Sequence, residues 1–77
     1  MSEDGIQLRD IDNIGLYIKK LRKQKKITQV ELAEYAGLSR AGIVKVESGE
    51  SDIKLSTLIS IVNLLGMDLV LRERGRK

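Results

Sequence analysis

The chain's 77 residues leave room for one domain, and 14 Lys and Arg against 11 Asp and Glu give a net charge of +3. The absence of Cys excludes a disulfide framework and a thiolate zinc site, and the absence of His excludes an imidazole base, a catalytic triad and a His–carboxylate metal centre. No apolar run approaches the roughly 20 residues that cross a bilayer, and the acidic start Met1-Ser2-Glu3-Asp4-Gly5 is unlike a secretory signal, so a cytoplasmic chain is expected.

Residues 1–9 read as an N-terminal tail. A first helix is expected to start at Asp10, a good N-cap, with Asp12 adding negative charge where the helix dipole favours it. Ile11, Ile14, Ile18 and Leu21 recur at three- and four-residue steps and mark one buried face. The block Lys19, Lys20, Arg22, Lys23, Lys25 and Lys26 suits the C-terminal end of that helix, which should fray around Lys25 or Lys26. Thr28-Gln29-Val30-Glu31 is a capping box opening a second helix, with Leu32, Ala33 and Ala36 inward and Gly37 as the left-handed stop. Ser39 caps a third helix, with Ile43 and Val46 inward and Gly49 ending it. After the polar loop Glu50-Ser51-Asp52, a fourth helix runs from Leu55 to Leu65, with Leu58, Ile61, Val62 and Leu65 as its stripe and Gly66 as its stop. Over residues 67–74 the period changes to two. Met67, Leu69 and Leu71 alternate with Asp68, Val70 and Arg72, which predicts a short strand. Residues 75–77 close a basic tail that begins at Arg72, and the sequence does not choose between DNA backbone, a partner protein and solubility for it.

The segment T-Q-V-E-L-A-E-Y-A-G-L-S-R-A-G-I-V-K-V-E-S-G, Thr28 to Gly49, places helix, glycine turn and capped helix at the spacing of a helix-turn-helix. Ala33 is small where the two helices cross, Leu38 plugs the corner, and Ile43 and Val46 pin the third helix to the core. Over Ile14 to Gly66 the chain resembles the phage repressor and Cro type of helix-turn-helix regulator, the XRE family. The resemblance rests on T-Q-x-E-L-A-x-x-x-G-L-S followed by I-x-x-x-E-x-G.

The resemblance implies an all-α, four-to-five-helix repressor-like fold over residues 10–66, with the third helix in the major groove. Its base-reading positions match Ser39, Arg40 and Ala41, with Lys45 one turn on. Arg40 suits a guanine edge, Ala41 a thymine methyl, and Lys45 a guanine or a phosphate. Gln29 matches a phosphate-binding position at a helix N-terminus, or else only assists the cap. Gly42 either lets the helix backbone approach DNA or is a tolerated exposed glycine. Ser48 and Ser51 are further candidates for DNA-backbone donors. Glu50 and Asp52 depart from the basic residues frequent in that loop and would repel phosphate. The family's pairing of a first-helix arginine with the glutamate after the recognition helix implies a partly buried, structural Arg22–Glu47 ion pair. Lys19, Lys23 and Lys26 read as a solvated face with some long-range pull on DNA.

An isolated strand needs a neighbour. Ile6-Gln7-Leu8 is a weak candidate within the chain, and pairing with a second copy fits better, through Met67, Leu69, Val70 and Leu71. Such a homodimer also offsets the marginal core of so short a chain. The Leu-Gly-Met-Asp-Leu-Val-Leu-Arg pattern and the overall length resemble the antitoxin subunit of HipA/HipB-type toxin–antitoxin modules. That implies a dimeric repressor of its own operon, bound to a palindromic operator in double-stranded DNA and to a HipA-like serine/threonine-kinase toxin, and associated with the nucleoid. The alternatives are a free-standing regulator of the same family, or an interaction module that neutralises a partner without reading DNA. No enzymatic role, metal, cofactor or membrane is expected.

Overall fold

In the computed structural model, which describes residues 11–50 and 52–73, four helices follow in order: α1 (Ile11–Gln24), α2 (Gln29–Ala36), α3 (Arg40–Ser48) and α4 (Leu55–Leu64). The expected Asp10 cap lies outside the described residues, as do Ser51, residues 6–8 and the tail from residue 74, and the same holds for the side chains of Ile11 and Asp12. Helix α3 packs against both α1 and α2, and α4 packs against α2. Ile18, Leu32, Ala33, Ile43, Val46, Leu58, Ile61 and Leu65 form the core, with Ile14, Leu21, Leu38 and Val62 half-buried around it. Aliphatic residues at helical spacing on four short helices therefore converge on one centre, as the sequence pattern requires.

The start and stop signals take the expected geometry. Thr28 Oγ1 accepts from the Glu31 N–H at 3.0 Å while Glu31 Oε1 accepts from the Thr28 N–H at 2.8 Å, which completes the capping box. Ser39 Oγ accepts from the Gly42 N–H at 3.0 Å. Gly37 and Gly49 end α2 and α3 in the left-handed region, and each stop is closed by two backbone bonds back to the last turn. Helix α4 ends in the same motif: Gly66, at φ 75°, donates to the Asn63 carbonyl, and Met67 N–H donates to the Val62 carbonyl at 2.8 Å.

Two features were not anticipated. Helix α1 uses the same stop with Lys26 at φ 60°, where the other helices have glycine. Gly15 is buried where α1 crosses α3, and a Cβ there would overlap the carbonyl oxygens of Val46 and Glu47. The bare glycine backbone is what lets the two helices approach this closely.

The strand predicted over residues 67–74 is not present in the single chain. Residues 67–73 form neither helix nor ladder, and no strand pairing is present among the described residues. The architecture is all-helical, because a strand in isolation leaves its N–H and C=O groups unpaired. Met67, expected among the dimerisation residues, packs partly against the chain's own core, while Leu69, Val70 and Leu71 are exposed.

Candidate nucleic-acid interface

Helix α3 divides into two faces by its periodicity. Ile43 and Val46 point into the core and Glu47 is 4% exposed, so Arg40, Ala41, Val44, Lys45 and Ser48 are left on the outer face. Three of the four expected base-reading residues, Arg40, Ala41 and Lys45, thus lie together on that face. Ser39, the fourth, stands exposed at its N-terminus. Val44, 43% exposed between them, is an apolar member of the same surface that the motif did not single out. Its signal was available in the helical period, since position 44 lies one turn beyond positions 40 and 41.

Behind this face runs a continuous polar chain. Arg22, 7% exposed, grips Glu47 with both arms of its fork: Nε donates to Oε2 at 2.6 Å and Nη2 to Oε1 at 3.2 Å. Its Nη1 donates to the Ile27 carbonyl at 2.9 Å, while the Ile27 N–H donates back to the Arg22 carbonyl at 3.0 Å. One side chain therefore ties the end of α1, the turn after it and the last turn of α3. The pair is buried more completely than a partly exposed ion pair, and a bidentate guanidinium–carboxylate contact is the geometry that offsets such desolvation best.

The chain continues outward. Gln29 Nε2 donates to Glu47 Oε1 at 3.1 Å, and Gln29 Oε1 accepts from Arg40 Nε at 3.2 Å. Both ends of the Gln29 amide have partners within the protein, so its side chain positions Arg40, and Nε2 keeps a second N–H for an outside acceptor such as a phosphate. A phosphate can also be met by the free N–H groups in the first turn of α2. With Nε held, Arg40 keeps two Nη groups, and these are able to meet the O6 and N7 acceptors of a guanine.

An open cleft lies in front of this turn, lined by Lys19 and Lys23 of α1, by Thr28, Gln29 and Val30, and by Arg40. Lys19 and Lys23 were read as a solvated face. The fold sets these two ammonium groups beside the N-terminus of α2, where positive charge and free N–H groups reinforce one another. The remaining candidates are less committed. Ser48 is exposed, but its Oγ donates to the Lys45 carbonyl at 3.1 Å, so donating to a phosphate would require that bond to break. Gly42 is half-buried at the capped start of α3, and Ser51 lies outside the described residues. Glu50 and Asp52 are exposed. Among the described residues no cluster of acidic side chains could hold a metal ion, and no helix is long and apolar enough to cross a membrane.

Comparison with known proteins agrees with this geometry. A helix-turn-helix family matches residues 18–71. The chain belongs to that family, in the phage repressor and Cro (XRE) type. The immunity repressor protein of Bacillus phage phi105 is 41% identical over 56 residues, 73% of this chain and 39% of that protein. The ImmF control region 10 kDa protein of the same phage is 35% identical over 60 residues, covering 78% of this chain and 67% of the relative. Among solved structures, a HipA-HipB-O2-O3 complex contains a chain that superposes with a TM-score of 0.77 at 24% identity, over 92% of this chain and 100% of the other. That likeness concerns the fold. The chain spans about two fifths of the length of the phage repressor it matches.

Proposed function

We propose that the protein is a sequence-specific DNA-binding repressor that binds a palindromic operator as a homodimer. The observation that carries the reading is the outer face of α3, where Arg40 is fixed through Gln29 to the buried Arg22–Glu47 pair. A base-reading side chain gains specificity when its orientation is fixed before binding. Arg40 and Lys45 read guanine edges, Ala41 and Val44 meet thymine methyls, and Ser39 uses its remaining O–H donor at the groove edge. Lys19, Lys23 and the N-terminus of α2 hold the phosphate backbone, and Ser48, Ser51 and the Gly42 backbone border it. In a homodimer, the two α3 helices reach half-sites about one DNA turn apart. Autoregulation of its own operon, and location with the nucleoid in the cytoplasm, belong to this reading.

A second reading adds a protein partner, a HipA-like serine/threonine-kinase toxin that the chain neutralises. The end-to-end fit to the chain from the HipA-HipB-O2-O3 complex, reaching past α4, favours it. The resemblance of the pattern from Leu64 to Arg74 favours it too. The relationship to phage repressors supports instead a free-standing regulator.

Selection of binding sites from a random DNA pool with the purified chain tests the main reading. The expected result is a palindrome with guanines at positions that lose preference in Arg40→Ala. Affinity for it should fall steeply with salt, as counterion release demands. Recovery of no site, or unchanged affinity in the Arg40→Ala, Lys45→Ala double variant, would overturn the reading. Co-purification with the product of a neighbouring kinase-like reading frame decides the partner.

A further inference from the structure

The outer face of α3 is not polar throughout. Val44, 43% exposed, stands between Arg40 and Ala41 around the helix, and Ala41 is exposed beside it. The two make an apolar spot flanked by Arg40 and Lys45. A single exposed valine is ordinary on a protein surface. This one sits among the residues proposed above to meet base edges, and its chemistry there is narrow. It has no donor or acceptor to offer a phosphate or a polar base edge. Local structure does not call for it either, because alanine is the better helix former.

The apolar group that a base pair presents in the major groove is the C5-methyl of thymine. In 5-methylcytosine the same methyl group stands on the same ring carbon. The two bases differ beside it, where thymine has a carbonyl acceptor and cytosine an amino donor, and valine addresses neither. Valine in a helix keeps mostly one side-chain rotamer, so little freedom is lost when its methyl groups meet another. Its neighbour Arg40 is held through Nε by Gln29 at 3.2 Å. The two residues are one turn apart, about 5.4 Å along the helix, against about 3.4 Å per base step. The methyl group and the guanine therefore fall within about two steps of one another.

We infer that Val44, with Ala41, is a site for the C5-methyl group of a pyrimidine, in thymine or in 5-methylcytosine alike, close to the guanine read by Arg40. The inference rests on the DNA-reading role proposed above and names the chemical group that one of its residues takes. It extends the thymine contact to a second base and makes operator affinity respond to cytosine methylation at that position.

The test uses the full chain and the operator recovered by site selection. Replacing thymines by deoxyuridine one at a time removes single methyl groups. One such change in each half-site, within about two steps of the guanine assigned to Arg40, should weaken binding about fourfold, as expected for one methyl group taken out of water. In Val44→Ala the same change should have a much smaller effect, because both changes remove one contact. With cytosine placed at that position, 5-methylcytosine should bind the wild type about fourfold tighter than unmethylated cytosine, and Val44→Ala should hardly distinguish them. Val44→Ala should melt no lower than the wild type, since the side chain is exposed. Indifference to methyl groups at every position, or a methyl effect of equal size in Val44→Ala, would overturn the inference. A response to uracil with none to 5-methylcytosine would overturn it as well, by confining the contact to thymine. Failure to recover any operator would instead sink the DNA-reading role itself.

Discussion

The Arg22–Glu47 centre and the tail after α4 solve opposite problems with equally short stretches of sequence. Around Arg22 every polar group is answered inside the chain: both arms of the guanidinium fork, both carboxylate oxygens, the Ile27 peptide and both ends of the Gln29 amide. Around Leu71 almost nothing is answered, and apolar side chains stand in water. The first region fixes how α1, α2 and α3 sit together and needs no second molecule. The second has an incomplete surface that a second molecule can complete. Changes in the first region should therefore lower stability independently of protein concentration, and changes in the second should act through association.

The largest effect is expected at Glu47. Glu47→Ala leaves the Arg22 guanidinium buried without its carboxylate and should cost about 3–5 kcal/mol in urea unfolding. If the loss were below about 1 kcal/mol, the pair would be solvated in practice and the contrast between the two regions would fail. Next comes Gly15→Ala. The new methyl group would meet the Val46 and Glu47 carbonyls, which are backbone and cannot rotate away, so α1 must shift from α3. A loss of about 1–3 kcal/mol is expected, visible as a lower thermal midpoint. Because α3 carries the outer face with Arg40, the same variant should also weaken operator binding. A folded Gly15→Ala chain with unchanged melting would mean that the helices do not meet so closely.

Much of this was legible beforehand, for identifiable reasons. The caps at Thr28 and Ser39 and the stops at Gly37, Gly49 and Gly66 are local devices, set by residues within one turn, so sequence reveals them. The outer face of α3 follows from period and motif. What escaped was non-local. Gly15 matters only because α3 lies across it, 31 positions away at Val46. The engagement of Gln29 by Glu47 and Arg40 joins residues 18 and 11 positions apart. The same holds for Lys19 and Lys23, whose place beside the N-terminus of α2 depends on how the α1–α2 turn folds. The strand over residues 67–74 was read from a real alternation, but alternation supplies only one side of a ladder.

A smaller effect separates a local cost from a tertiary one at the end of α1. Lys26 stands at φ 60°, a conformation costing roughly 1 kcal/mol for a residue with a Cβ. Lys26→Gly should raise stability by up to about 1 kcal/mol, the gain being limited by the extra freedom of glycine in the unfolded chain. A destabilised variant would show that the Lys26 side chain makes a contribution beyond this backbone term.

The smallest change addresses Gly42, where sequence left two readings open. A Cβ at this helical position would lie 3.4 Å from Ser39 Oγ and 3.5 Å from Leu38 Cβ, ordinary contact distances, so packing within the chain does not demand glycine. Gly42→Ala should therefore stabilise the free protein by somewhat less than about 1 kcal/mol, through the better helix propensity of alanine. Its effect on DNA decides between the readings. If the bare backbone is there for close approach to the groove, affinity should fall several-fold although the fold has become more stable. If the glycine is merely tolerated, affinity should stay level. Loss of binding together with gain of stability is a combination that no defect in folding can produce, so it would assign Gly42 to the DNA-facing surface.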